Sequence, residues 1–189
     1  MTEENAMAPL PWGREVIEGI LPHRDPFVWV SRIMAIEPGA SIEGELDVPA
    51  DLDIFRGHFP DHPVLPGVII MEALAQCASI AVLQAPELRG NIGFLTGIDA
   101  AKFRRQVAPG DTVTLRATIV KSSRRLVVAE VEASVDGEIC ATAAEVRART
   151  QRVTMAKAAS STSASTQRGT SSPSLRTALR PPRRPRTAR

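Results

Sequence analysis

Residues 57–76 read GHFPDHPVLPGVIIMEALAQ, and this stretch decides the fold. A proline-rich loop with two histidines ends at Pro66-Gly67 and leads directly into an apolar run that continues to Gln84. Proline suits the start of a helix and Pro86 stops it, so the sequence predicts one long helix over residues 67–84. Because this helix is apolar on nearly every face, other structure must surround it.

Most of the remaining sequence is typical of β-strands. A short helix is predicted over residues 11–20, and Asp136-Gly137 predicts a tight hairpin. Alternating or β-branched segments bounded by Gly, Pro and Asp predict strands at residues 28–36, 41–48, 91–98, 102–107, 112–121, 126–135 and 138–148. One buried helix with an antiparallel sheet curled around it is an α+β fold, distinct from a parallel doubly wound fold.

Charge divides the chain into two parts. Of the 23 Lys and Arg residues, nine lie in residues 151–189, whereas all 21 Asp and Glu residues lie in residues 1–150, so the two parts carry net charges of +9 and −7. Residues 1–150 are long enough for one domain with a core. Residues 151–189 are rich in Ser, Thr, Pro and Arg, with too little apolar material to fold, which predicts a disordered basic tail.

Several classes of function are disfavoured by composition. The arginines of the tail are not interleaved with aromatic residues, so specific nucleic-acid binding is not expected. The apolar run at residues 68–83 contains Glu72 and Gln76 and is too short for a membrane span. Two distant cysteines, Cys77 and Cys140, with no secretory signal at the N-terminus, predict a cytoplasmic protein without disulfides or a zinc site.

Three groups around residues 57–76 point to acid–base chemistry. His58 has a side chain suited to removing a proton at neutral pH, and Glu72 is an acid on an apolar helix, where burial favours a proton donor. Gly67 leaves a free N–H at the helix start, which favours an anionic oxygen. Because 14 residues separate His58 from Glu72, the pair would meet either across the fold or across a two-fold interface.

Two neighbouring polar residues are candidates for supporting roles. His62 belongs to the same loop and has an alternative, purely structural interpretation as a hydrogen-bonding partner within that loop. Gln76 lies one helical turn after Glu72 and would hydrogen-bond to it.

The order and spacing of four segments resemble the FabZ-type 3-hydroxyacyl-acyl-carrier-protein dehydratases of type II fatty acid synthesis. These segments are LPHRDPFVWVSRI, GHFPDHPVLPGVIIMEALAQ, GFLTGIDAAKFRRQVAPGD and CATAAEVRA, within residues 21–149. The resemblance implies a hot-dog fold, in which an antiparallel sheet wraps one long helix. It also implies a homodimer or an assembly of dimers. Because the related FabA-type isomerising enzymes are expected to carry Asp at this helix position, Glu72 favours the non-isomerising branch.

The resemblance assigns roles to the candidate residues. His58 would take the C2 proton of a (3R)-3-hydroxyacyl thioester, and Glu72 of the other subunit would assist loss of the C3 hydroxyl. The N–H of Gly67 would hold the thioester carbonyl, and no metal or organic cofactor is implied. The basic residues Lys102, Arg104 and Arg105 would dock the acidic acyl carrier protein, with a solvated strand edge as the alternative interpretation.

Two other functions remain open for this fold. A hot-dog acyl thioesterase would use a carboxylate to position water at the thioester carbonyl, without an essential role for His58. A non-catalytic protein that binds the carrier protein would retain its cellular activity after substitution of His58 or Glu72. The complete loop and the acid in the helix favour the dehydratase over both.

Overall fold

The computed structural model describes residues 8–152, which form a seven-stranded antiparallel sheet around one long helix. The helices are α1 (Arg14–Ile20) and α2 (Gly67–Leu83), and the strands are β1 (Arg32–Glu37), β2 (Ser41–Asp47), β3 (Asn91–Asp99), β4 (Lys102–Phe103), β5 (Thr112–Ser122), β6 (Val127–Val135) and β7 (Glu138–Arg152). The strand order is β1-β2-β5-β6-β7-β3, and β4 also pairs with β7. The predicted α+β hot-dog architecture is confirmed.

The central helix α2 begins at Gly67, directly after Pro66, and its last helical residue is Leu83. Twelve of its 17 residues are buried, because β2, β5, β6 and β7 surround it. Burial on this scale explains why the sequence of α2 is apolar on all sides instead of on one stripe. No helix within residues 8–152 combines the length and the apolar character needed to cross a membrane.

The helix packs closely against the sheet at Gly44 on β2. A Cβ atom at this position would lie 2.9 Å from the carbonyl oxygen of Arg32 and 3.3 Å from the Sγ atom of Cys77 on α2. Side chains elsewhere on β2 alternate between buried and half-buried, as the sequence predicts for a strand with one face on the core. The missing side chain at Gly44 therefore allows the buried helix to seat against this strand.

The predicted hairpin between the last two strands is confirmed. Asp136 and Gly137 both have positive φ angles, 51° and 81°, which is the backbone of the tightest hairpin turns. The turn pairs Val135 with Glu138 and sets the register of β6 against β7, the most extensive pairing in the sheet.

Apart from the end of β7, three element ends differ from the prediction by three or more residues. The first helix begins at Arg14, because the backbone of Trp12 instead pairs with Ile33 as an isolated bridge. The first strand begins at Arg32, although residues 28–31 are buried or half-buried. The segment predicted as a strand over residues 102–107 is a strand only at Lys102–Phe103.

The sheet extends beyond the domain boundary predicted at residue 150. Strand β7 continues through Arg152, where it pairs with Asn91 of the edge strand β3. The rest of the predicted tail, residues 153–189, lies outside the described residues.

Candidate active site

His58 is fixed by hydrogen bonds that determine which ring nitrogen is free. A short helical turn, Asp53–Arg56, precedes it, and its backbone N–H donates to the carbonyl oxygen of Ile54 at 3.0 Å. Its Nδ1 atom lies 2.7 Å from the carbonyl oxygen of Val64, which can only accept a hydrogen bond. Nδ1 therefore carries the proton of the neutral ring, and Nε2 presents a lone pair that can accept one.

Gly67 is the first residue of the long helix α2 and packs against the ring of Phe103. As the first residue of α2, it has no helical carbonyl four residues earlier to accept its N–H. A Cβ atom here would lie 2.6 Å from the ring of Phe103, so only glycine leaves room for this ring. A free helical N–H beside an apolar ring is suited to polarising a carbonyl oxygen.

Glu72 lies on the second turn of α2, with 22% of its side chain exposed. Its Oε1 atom accepts a hydrogen bond from the Nε2 atom of Gln76 at 3.0 Å. Gln76 is itself 1% exposed and donates to the carbonyl oxygen of Phe27 at 3.0 Å, while its Oε1 accepts from the N–H of Trp29 at 2.9 Å. The Glu72 carboxylate is thus held by the side-chain amide of Gln76, which is itself fixed by hydrogen bonds to the backbone of Phe27 and Trp29.

A third histidine, His23, was given no role by the sequence and lies at the same carboxylate. Its Nε2 atom is 3.7 Å from Oε1 of Glu72, and its ring stacks on Phe27 with centroids 6.2 Å apart. Its Nδ1 atom is buried without a hydrogen-bond partner among the described residues. The signal available in the sequence was the segment LPHRDPF, where a histidine lies between two prolines and beside the charged residues Arg24 and Asp25.

A cavity of about 250 Å³ adjoins Glu72 and His23. It is bounded by one face of α2, by residues 92–95 of the edge strand β3 and by Ala148 of β7. Two larger grooves, of about 560 and 380 Å³, lie among β1, β2, β5, β6 and β7 and are lined by a mixture of charged residues, such as Glu130 and Arg116, and small or apolar ones. Neither groove is lined by a histidine or by Glu72, so the smaller cavity is the candidate substrate site.

Of the predicted site residues, Glu72 and Gln76 line this cavity and the others do not. His62 is exposed, and its Nε2 atom is 3.1 Å from Oε1 of Gln106, in keeping with its structural interpretation. Within residues 8–152 no hydrogen bond or ion pair joins His58 to Glu72. Lys102 and Arg104 are exposed, whereas Arg105 is paired with Asp111 at 3.4 Å and Glu138 at 3.0 Å.

Comparisons with known proteins point to one family. A sequence model of the FabA-like domain matches residues 21–144. The 3-hydroxyacyl-[acyl-carrier-protein] dehydratase FabZ of Ruminiclostridium cellulolyticum is 46% identical over 125 residues, which cover 66% of this chain and 88% of that protein. The FabZ of Listeria monocytogenes is 44% identical over 123 residues, with 65% and 85% covered.

Solved structures agree on the fold. The dehydratase heterocomplex ApeI:P from Xenorhabdus doucetiae superposes with a TM-score of 0.63 at 18% identity and covers 76% of this chain and 92% of that one. An uncharacterized protein, PH1136 from Pyrococcus horikoshii, gives a TM-score of 0.52 at 17% identity, with 75% and 94% covered. At these identities the likeness establishes the shared hot-dog fold alone.

Proposed function

The chain belongs to the FabA-like family, among the FabZ-type 3-hydroxyacyl-[acyl-carrier-protein] dehydratases, and we propose that His58, Glu72 and the N–H of Gly67 carry its reaction. It is a hydro-lyase that removes water from 3-hydroxyacyl thioesters of the acyl carrier protein in fatty acid biosynthesis. The observation that supports the residue assignment most strongly is the hydrogen bond from Nδ1 of His58 to Val64, because it leaves Nε2 as a base.

In the proposed mechanism, Nε2 of His58 removes the C2 proton of a (3R)-3-hydroxyacyl thioester. The N–H of Gly67 donates a hydrogen bond to the thioester carbonyl, which stabilises the negative charge that develops there. Glu72 acts as the acid and donates a proton to the C3 hydroxyl, which leaves as water while the trans C2–C3 double bond forms. Each acid–base group is worth roughly 10²–10⁴-fold in rate.

A second copy of the chain is proposed to complete the site. No hydrogen bond or ion pair joins His58 to Glu72 within the described residues, and we propose that His58 of one subunit acts together with Glu72 of another. The edge strand β3 supports this arrangement, since it borders the Glu72 cavity, ends the sheet and exposes Phe94 and Leu95. An apolar edge strand of this kind is suited to pairing with a second copy.

The remaining assignments follow from charge and cysteine chemistry. We propose that the exposed Lys102 and Arg104 dock the acidic carrier protein, whereas the ion pairs of Arg105 give it a structural role instead. The cytoplasm stays the predicted location, and the two cysteines are buried free thiols, which fits a reducing compartment.

The direct test compares wild type with His58→Ala and Glu72→Gln on 3-hydroxybutyryl-ACP, following enoyl formation and the reverse hydration. We expect each substitution to lower kcat by at least about 10²-fold without loss of the folded circular dichroism signal. The matched control is His62→Ala, which removes an exposed histidine from the same loop and should retain turnover.

The alternatives give different results in the same samples. A His58→Ala variant that keeps the wild-type rate would exclude the proposed base. Release of free carrier-protein thiol without enoyl formation would identify a thioesterase. If wild type binds the carrier protein but neither dehydrates nor hydrolyses its thioester, a non-catalytic binding function would replace the proposal.

A further inference from the structure

The cavity beside Glu72 follows one face of α2 toward the far end of the helix. Glu72 and Ser79 both line it and are seven residues apart, which places them on the same helical face two turns from each other. At a rise of 1.5 Å per residue, the two positions are separated by about 10 Å along the helix axis. The cavity therefore has a near end at the proposed acid and a far end at a serine.

The near end of the cavity differs in chemistry from its walls. His23, Glu72 and Gln76 make the near end polar, whereas Ala75, Ile92 and Phe94 make the walls apolar. A mainly apolar cleft with a few polar groups gathered at one end is typical of a site for a small molecule with a reactive head and an apolar body. A thioester whose C3 atom lies at Glu72 would extend its alkyl chain along these walls.

Ser79 narrows the far end against the edge strand. Its Oγ atom lies 3.3 Å from the position that a Cβ atom on Gly93 would occupy, so the hydroxyl fills the space that the glycine leaves between α2 and β3. Ser79 is half-buried, as is Gly93. An alkyl chain that passes this point must displace the serine, and it must also remove the hydroxyl from water without offering it a hydrogen bond.

We propose that Ser79, packed against Gly93, limits the length of the acyl chain that this enzyme accepts. The inference rests on the proposed function, since it assumes that the reacting carbon lies at Glu72. Because a fully extended chain advances ~1.2 Å per bond, an acyl chain reaches Ser79 roughly eight bonds beyond C3. Chains that end before Ser79 fit the cavity, and longer chains meet the hydroxyl.

The test is a change in chain-length preference with two substitutions of opposite sign. Ser79→Gly removes the obstruction, and Ser79→Val enlarges it. The measured quantity is the ratio of kcat/KM for 3-hydroxytetradecanoyl-ACP to kcat/KM for 3-hydroxybutyryl-ACP. We expect Ser79→Gly to raise this ratio by about tenfold and Ser79→Val to lower it by about tenfold, as for single carbon changes in apolar pockets.

Two further variants distinguish an effect on chain-length preference from an effect on folding. Ser79→Ala keeps a good helix former and removes only the hydroxyl, so its ratio should rise in the same direction as that of the glycine variant. Ser134→Ala removes a buried serine hydroxyl on β6, outside the cavity, and should keep the wild-type ratio.

The outcomes separate this inference from the function on which it rests. If all Ser79 variants keep the wild-type ratio, or if glycine and valine shift it in the same direction, Ser79 does not limit chain length, and the dehydratase activity still stands. If wild type dehydrates neither substrate, the proposed function itself is overturned.

Discussion

Gln76 is the residue that joins the helix, the loop before β1 and the proposed acid. Its side chain uses both N–H groups and its carbonyl oxygen, toward Glu72, Phe27 and Trp29. Because it is buried, each of these groups would lose a partner without gaining water if the amide were removed. Gln76 therefore both stabilises the fold and fixes the direction of the Glu72 carboxylate.

Replacement of Gln76 by Leu should weaken both properties. Two backbone groups, the N–H of Trp29 and the carbonyl of Phe27, would be left unsatisfied, so we expect the free energy of unfolding to fall by about 2–5 kcal/mol. Urea denaturation measures this loss. Gln106→Leu is the matched control, because Gln106 is exposed and, within residues 8–152, its side chain hydrogen-bonds only to that of His62. Equal stability losses in the two variants would contradict the anchoring role.

The positive charges of Lys102 and Arg104 should affect binding of the carrier protein and not the rate of the chemical step. Combined charge reversal, Lys102→Glu with Arg104→Glu, is expected to raise the KM for an acyl-ACP substrate by about tenfold at low salt, with a smaller effect at high salt. A small pantetheine thioester should show no change. Lys121→Glu, an exposed lysine on β5, serves as the control. A rise in KM for both substrates would place these residues in the active site instead of a docking surface.

At the scale of elements, the fold depends on how closely α2 lies against the sheet. Cys77 faces Gly44 of β2 and lies 3.9 Å from the carbonyl oxygen of Leu115 on β5. Its burial, with a smaller contribution from the nearby charge of Glu43, raises the pKa of the Cys77 thiol to about 12. The thiol is therefore protonated and unreactive as long as α2 is packed against the sheet.

This pKa shift predicts a loss of stability in alkali. In the unfolded chain the thiol ionises near pH 9.0, whereas in the folded protein it stays protonated to about pH 12. Between these values the unfolded state binds fewer protons, so the free energy of unfolding falls as pH rises, by at most about 1.4 kcal/mol per pH unit. Below pH 9 the thiol makes no contribution.

Comparison with Cys77→Ala isolates this thiol. The variant loses some packing at every pH, but its stability should decline less steeply than that of wild type between pH 9 and pH 11, as measured by urea denaturation. Parallel pH curves would show that the thiol is accessible to water in the folded protein. Iodoacetamide at pH 8 offers a second readout and should modify Cys77 only on unfolding.

At the scale of the whole molecule, a single chain holds the proposed base and acid at separate places. His58 is fixed in the loop before α2, and Glu72 faces the cavity under the edge strand β3. A two-fold dimer would contain two sites, each with His58 from one subunit and Glu72 from the other. Activity would then depend on the assembly and not only on the folded chain.

Mixing two inactive variants tests the shared site. In a mixed dimer of His58→Ala and Glu72→Gln subunits, one site receives both substitutions and the other receives none. After unfolding and refolding of an equimolar mixture, we expect roughly a quarter of the wild-type turnover, because half of the random dimers are mixed and each has one intact site. If both groups act within one subunit, the mixture stays inactive. Each variant refolded alone is the control.

Local sequence predicted those features that depend on a few adjacent residues. The proline-glycine pair located the start of α2 exactly where the helix begins, and Asp136-Gly137 located the hairpin, because both rest on backbone preferences of the residues themselves. The apolar surface of α2 likewise indicated its burial. The ends of the first helix and of β7 were less accurate, since the pairing of Trp12 with Ile33 and the extension of β7 to Arg152 depend on distant partners.

The sequence by itself thus determined one buried helix and an antiparallel sheet around it, and it indicated the three groups His58, Gly67 and Glu72 to which we assign the reaction. Only the tertiary structure decided their surroundings: His23 beside the carboxylate, Gln76 as its anchor, and Ser79 against Gly93 at the end of the cavity. The physical reason is that backbone preference and hydrophobic pattern act over a few residues. Hydrogen bonds and cavities join side chains that are far apart in the chain, and packing alone brings them together.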